Sequence, residues 1–397
     1  PSRATERDFF MQDTGIKDRM NKKKYLDRKI LFLCLLHFSI GFEMGGFQTV
    51  LRTMAEFFSL ERIDSGFLVS AQYVGIILMP ALIGRIADRV GKKRTLVVFM
   101  LVFSIGAFMV GVSSWLGITV LGLLFIGSGY GVAESVSTAL LGDHYKENAD
   151  RYINLSQAFL CIGAVAAPLV SSLTFFLWRW VFLSSSAVCL VSLVLLLSET
   201  GFTKVMHTSD ALLLDKSLIQ SNLFRLFFIT MLLYVGMENG FGYIAETYFF
   251  NAFRSSWGAY AISLYWSAMA LSRLLSSVVS GNLYVQLRRR FIAIVMVFVA
   301  LALSKSPVLS LILCALVGFS YGPIWSFIMA LAVSTYPEKT ARVTGLLSSG
   351  CGLGGVLFPI FMQMVPLGKG FVLLAASALA GCVCIVFAAR QDRALLY

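Results

Sequence analysis

Three carboxylates and one guanidinium lie where the surrounding sequence offers no water. Glu43 in "IGFEMGGF", Glu134 in "GYGVAESV", Glu238 in "VGMENGFG" and Arg273 in "ALSRLLSS" all sit inside long apolar runs. An ionisable group at mid-bilayer costs roughly 2.5–3.5 kcal/mol on insertion scales, so each needs a compensating role. Taking a carboxyl out of water favours its neutral form, which suits a proton picked up on one side and released on the other. The chemistry on offer is proton carriage and solute binding, with the proton as coupling ion and no cofactor. No nucleophile–base pair and no metal-ligand spacing accompanies these residues, so neither enzymatic catalysis nor a metal site is expected. Each acid has a plainer alternative, an inert helix–helix hydrogen bond. Arg273 in turn could neutralise a carboxylate, grip an anionic solute or form a structural pair. His37 could relay protons, but a histidine alone on an apolar helix is more often a packing residue.

Neutral polar groups at similar depths suit hydroxyl recognition, and Gln48, Gln72, Gln157 and Asn239 are candidates. Tyr243, Tyr265, Trp266, Tyr321 and Trp325 are candidate stacking platforms, although aromatic residues on buried helices more often serve packing.

The elements that must position these groups follow from composition. Of 397 residues, 58% are hydrophobic and only 14% charged, too few to cover a soluble domain. Apolar runs of about 20 residues cross ~30 Å of hydrocarbon as helices. Spans are expected at roughly 30–56, 62–86, 94–113, 116–142, 152–174, 178–198, 222–250, 256–283, 291–306, 308–335, 341–364 and 370–389. The fold class is thus an all-α polytopic membrane protein with twelve transmembrane helices. The net charge of +12 reflects topology and not nucleic acid. Basic clusters at Lys17–Lys29, 85–94 and 288–290 fall on one side. The opposite loops hold Arg52, Arg62, Arg179, Arg254, Lys305 and Lys369. That bias places both termini in the cytoplasm. All seven cysteines fall within apolar spans, which argues against a disulfide framework. Residues 1–19 are expected to be a tail or remnant outside the fold, with "MNKKKYLDRKILFLC" from Met20 resembling a natural start.

The chain repeats itself. Residues 130–169 match 321–360 at a constant offset of 191, pairing Tyr130 with Tyr321, Gly131 with Gly322, Arg151 with Arg342, Gly163 with Gly354 and Pro168 with Pro359. Glu43 falls on Glu238, and Gly84 on Gly281, at nearly the same offset. Two parallel six-helix halves, 29–198 and 222–397, are therefore expected, joined by a cytoplasmic linker at 199–221 and preceded by a tail at 1–28. Glu43 and Glu238 should then face one another across a central cavity at equal depth.

Between the second and third spans lies "GRIADRVGKKR", in which Gly84, Asp88, Arg89, Gly91, Lys92 and Arg94 follow G-x-x-x-D-R-x-G-[RK]-x-[RK]. Gly84 would let a neighbouring helix approach closely, and Asp88 could accept hydrogen bonds at the positive N-terminus of a facing helix. These residues, with Arg342, are a candidate conformational latch. The second copy, "GNLYVQLRRR", carries Val285 in place of the acid, so the latch should be lopsided. Motif and parallel repeat together resemble the major facilitator superfamily, which implies the major facilitator fold and solute transport by alternating access.

"GSGYGVAE" followed by "NLSQAFLCIGAVAAPLV", and "YVGMENGFGYIAETYF", resemble the sugar–proton symporter branch that includes fucose and glucose permeases. The chain departs from that branch at Thr138, Gln157 and Ile244. It lacks the fourth-span arginine and the G-P-x-x-G-G fifth-span ending of drug–proton antiporters, since "AAPLVSS" has neither terminal glycine. The resemblance implies import of a small polar solute, sugar-like or an organic acid, by proton symport. A proton-coupled exporter of an amphipathic or cationic compound is the alternative, and a transceptor or purely structural membrane protein is a third. Short loops favour a bacterial inner membrane. The expected partners are a small-molecule substrate and the lipid bilayer, with no nucleic acid, and the protein is expected to be a monomer.

Overall fold

The computed structural model describes residues 28–60, 65–173, 177–199, 216–255, 257–279 and 281–395. The tail at 1–27 and most of the linker expected at 199–221 lie outside the described residues. The helices are α1 (Arg28–Phe57), α2 (Ser65–Val90), α3 (Lys92–Val112), α4 (Leu116–Tyr145), α5 (Ala149–Leu173) and α6 (Arg179–Ser198). After a short α7 (Lys216–Gln220) come α8 (Asn222–Phe253), α9 (Gly258–Ser276), α10 (Leu283–Leu303), α11 (Pro307–Tyr321), α12 (Ile324–Thr335), α13 (Thr340–Met364) and α14 (Leu367–Leu395). With α11 and α12 stacked as one broken column, these make twelve membrane-length columns and a multi-pass membrane protein. Side chains such as Val98, Ile105, Phe108, Val194, Val372 and Leu379 are about half exposed on the outside, a surface that requires lipid. Trp115, Trp180 and Tyr260 are exposed near the loops opposite the chain ends, as befits an interfacial aromatic belt.

Small residues set the packing. A Cβ on Gly163 of α5 would lie 2.2 Å from the Phe38 carbonyl of α1. On its counterpart Gly354 of α13, it would lie 2.1 Å from the Leu232 carbonyl of α8. Only glycine permits either approach, so the internal repeat recurs as the same helix pairing in α1–α6 and α8–α14. The two sets meet along α2 against α13 and along α5 against α9.

Three expected spans differ from the observed helices. The eighth was expected to reach 283, but α9 stops at Ser276. Asn282 then starts α10, its side chain accepting the N–H of Val285, so the Arg288–Arg290 run lies within a helix and not in a loop. The tenth span is broken at Gly322-Pro323. Pro323 has no N–H to offer the carbonyl of Phe319 four residues back. Arg290 supplies the missing donor, its Nη1 reaching the Phe319 oxygen at 2.6 Å and Ser272 Oγ at 3.0 Å.

Candidate binding cavity and its closing contacts

Between the two sets of helices lies a cavity of about 660 Å³. It reaches from Glu134 and Ser348 towards Leu51, Gly66 and Val69, at the ends of α1 and α2 away from the chain termini. Of the residues singled out in the sequence, Gln48, Gln72, Glu134, Gln157, Glu238, Asn239, Tyr265, Trp266, Arg273 and Trp325 line it. The side chain of Tyr243 lies outside the described residues. Tyr321 does not reach the cavity. Its fully buried ring packs on Tyr234, Tyr265 and Phe298 in the layer behind, which corrects its reading as a stacking platform.

The acids part company. Glu134 lines the floor and accepts from Gln157 Nε2 at 3.2 Å. Glu238 lines the wall beside Tyr234 and within reach of the Arg273 charge. Glu43 is fully buried behind the wall, where Gln72 Nε2 donates to its Oε2 at 3.0 Å. The expected opposition of Glu43 and Glu238 across the cavity is therefore not observed. α1 turns Met44, Phe47 and Gln48 inwards, so Glu43, one residue before Met44, points into the packed interior. His37 is likewise buried, bonded through Nδ1 to the Leu33 carbonyl at 2.8 Å, as a packing residue would be.

Arg273 joins the two halves at the cavity floor. Its Nε donates to the Gly322 carbonyl at 2.7 Å, within its own half. Its Nη1 crosses to α5, donating to the Gln157 carbonyl at 3.0 Å, to Gln157 Oε1 at 3.3 Å and to Cys161 Sγ at 3.0 Å. Among the described residues it makes no direct ion pair.

The face carrying the chain ends is closed by the candidate latch. Asp88, at the end of α2, accepts the N–H groups of Ala341 (3.1 Å) and Arg342 (3.0 Å) at the N-terminus of α13. Those donors have no partner within the helix, and the helix dipole favours a negative charge there. Gly84 makes the approach possible, since a Cβ there would lie 2.4 Å from the Ala341 carbonyl. Lys92 is buried and bridges Asp88 at 3.1 Å to Asp143 of α4 at 2.7 Å, while Thr340 Oγ1 donates to Asp143 at 2.9 Å. Gly91, at φ +109°, makes the turn between α2 and α3 in a conformation other residues rarely adopt. Arg89 and Arg94 are exposed.

Sequence reasoning missed Asp143 and two cavity tyrosines, Tyr73 and Tyr130. Tyr73 Oη donates to Asn239 Oδ1 at 3.3 Å across the halves. A signal for Asp143 existed: its repeat counterpart is Ser334, so an acid is present in one copy alone.

Two repeated helical bundles around a central cavity, shut on one face by cross-half contacts, define a membrane transporter fold. The chain belongs to the Major Facilitator Superfamily, whose family model matches residues 33–359. These are transporters and not enzymes, and they work without a cofactor. The chain is 28% identical over 143 residues to the glucose transporter GlcP of Staphylococcus epidermidis, a match covering 35% of this chain and 32% of that relative. It thus spans about a third of the length of the curated relatives it matches. Among solved structures it resembles the human organic anion transporter MFSD10, with a TM-score of 0.77 at 17% identity, covering 90% of this chain and 99% of that one. It also resembles FucP, the fucose:proton symporter of E. coli. In its outward conformation FucP gives a TM-score of 0.78 at 15% identity, covering 91% of this chain and 98% of FucP. At these identities the structural likeness is one of fold.

Proposed function

We propose that this protein moves a small hydroxylated, sugar-like solute together with a proton, by alternating access between two rigid halves, 29–198 and 222–397. The observation that carries the reading is a cavity closed on the terminal face and lined by two carboxylates, several amides and aromatic rings. Amide and carboxylate oxygens accept from sugar hydroxyls, amide N–H groups donate to them, and rings such as Trp266 and Trp325 stack on the C–H faces. Glu43, Glu134 and Glu238 carry the proton coupling. The orientation is outward, with the termini in the cytoplasm of a bacterial plasma membrane, in keeping with the basic bias and the likeness to outward FucP. The protein acts as a monomer.

The test is uptake of labelled sugars and organic acids into proteoliposomes, with and without an inward proton gradient. A sugar accumulated only with the gradient supports the reading. A second reading, export of an amphipathic or cationic compound, is favoured by the many apolar lining residues, such as Phe47, Leu51 and Ile262, beside the carboxylates. Competition by lipophilic cations, with no sugar uptake in either condition, would replace the first reading with the second.

A further inference from the structure

The two flanks along which the halves meet are held by different means. On the α2–α13 flank the helices touch backbone to backbone. Gly84 sits on the Ala341 carbonyl and Gly345 on that of Pro80, and Asp88 caps α13. Asp88 takes no part in lining the cavity. On the α5–α9 flank none of this is reproduced. α9 ends at Ser276, about three turns before the counterpart of Val90, the last residue of α2. Gly281, the counterpart of Gly84, meets only the end of the Gln286 side chain. Asn154 stands on α5 where α13 has Gly345. A groove of about 240 Å³ lies between Glu147–Arg151 and Gly281–Leu283. Across this flank, higher up and at the cavity floor, reaches Arg273.

We infer that Arg273 is the gate of the α5–α9 flank, and that it opens by exchanging Gln157, in the other half, for Glu238, in its own. This rests on the alternating-access reading proposed above. Every acceptor that Arg273 holds on α5 is neutral: a carbonyl, an amide oxygen and a thiol. A guanidinium bonded to a carboxylate gains direct Coulomb attraction, and the fork-to-fork fit of two parallel N–H···O bonds, which a neutral acceptor does not supply. Glu238 lies on α8, in the same half as Arg273, faces the same cavity and is close enough to feel its charge. Movement of the guanidinium onto that carboxylate keeps its anchor on Gly322 but removes the bonds to α5, so the flank loses its cross-half tie. Occupants of the cavity can influence this exchange, because both Arg273 and Glu238 line it. They cannot influence the Asp88 contact in the same way.

The experiment measures spin-label distances in the full-length protein in lipid nanodiscs. One pair, at Asn148 and Asn282, reports the α5–α9 flank, and another, at Val90 and Glu338, reports the α2–α13 flank. Arg273→Gln is expected to add a longer-distance population to the first pair while leaving the second close to wild type. Asp88→Asn should do the reverse. Glu238→Gln removes the competing charge and should narrow the first distribution towards its short component, a result that does not depend on Arg273→Gln folding. If Arg273→Gln and Glu238→Gln leave the first pair as in wild type while Asp88→Asn moves the second, the gate is overturned and alternating access stands. If no variant moves either pair, both fail.

Discussion

Asp88 and Arg342 belong to opposite halves of the molecule, yet a carboxylate oxygen of Asp88 accepts the backbone N–H of Arg342 at 3.0 Å. The contact uses the main chain of α13, so it depends on the position of the helix and hardly on which side chain follows. It ties the closure of one face to one charge, which Lys92 holds in place from the same half.

Asp88→Asn should therefore loosen that face. The amide keeps one acceptor and turns donors towards Lys92 and the α13 N–H groups. Hydrogen bonds to a charged group contribute about 2 kcal/mol, enough to shift a two-state equilibrium by roughly thirtyfold. Cysteines introduced on α2 and α13 at that face should cross-link more slowly than in the wild type; unchanged cross-linking would rule out Asp88 as a closing contact.

Steric substitutions on the same flank should act in the same direction without altering charge. Gly84→Ala places a Cβ 2.4 Å from the Ala341 carbonyl, and Gly345→Ala places one 2.3 Å from that of Pro80. Both obstacles are backbone, so the helices must separate. Alkylation of a cysteine placed in the latch-face seam should become faster in either variant, with thermal stability in detergent falling by about 1–3 kcal/mol equivalent.

Glu134→Gln should separate coupling from transport. The bond from Gln157 to this position can persist with an amide acceptor, whereas the proton cannot be carried. Gradient-driven accumulation should vanish while solute exchange across the membrane continues. Equal loss of both activities would assign Glu134 to binding or folding instead.

The separation of Glu43 from Glu238 predicts different phenotypes for two acids the repeat makes equivalent. Glu238→Gln alters a group that faces solute, so affinity should drop about tenfold, as for loss of one charged hydrogen bond. Glu43→Gln lies behind Gln72 and should leave affinity within about twofold, while abolishing proton-driven uptake. Isothermal titration beside uptake assays distinguishes them; a matched loss of affinity in both variants would contradict the geometry.

The break in the tenth span offers a test by rescue. Arg290→Gln leaves the part-buried Phe319 carbonyl without its guanidinium partner, a cost of about 1 kcal/mol. Pro323→Ala restores the N–H that an uninterrupted helix would donate to that carbonyl. The double variant should melt at a higher temperature than Arg290→Gln alone. Additive losses would show that Arg290 serves Ser272 or the Phe319 ring rather than the break.

What the sequence determined by itself was whatever the bilayer and the repeat impose locally. Hydrocarbon thickness dictates the length of each apolar run, so most helix ends fall within a few residues of expectation. The order of Gly84, Asp88 and Gly91 announced a cap on a facing helix, and the structure supplies Ala341 and Arg342 as its recipients. The shared offset paired Gly163 with Gly354, whose close approaches recur in both halves. Rotation about a helix axis was decided only by the tertiary structure. Each residue turns a helix by about 100°, so a pairing by depth cannot say which of two neighbours faces a cavity. That is why Glu43 lies buried while Met44 lines the wall, and why Tyr321 sits a layer behind Tyr265. Contacts distant in sequence were also beyond it. Asp143 meets Lys92, and Arg273 meets Gln157, only because packing brings α4 to α3 and α9 to α5, and no local pattern encodes those distances.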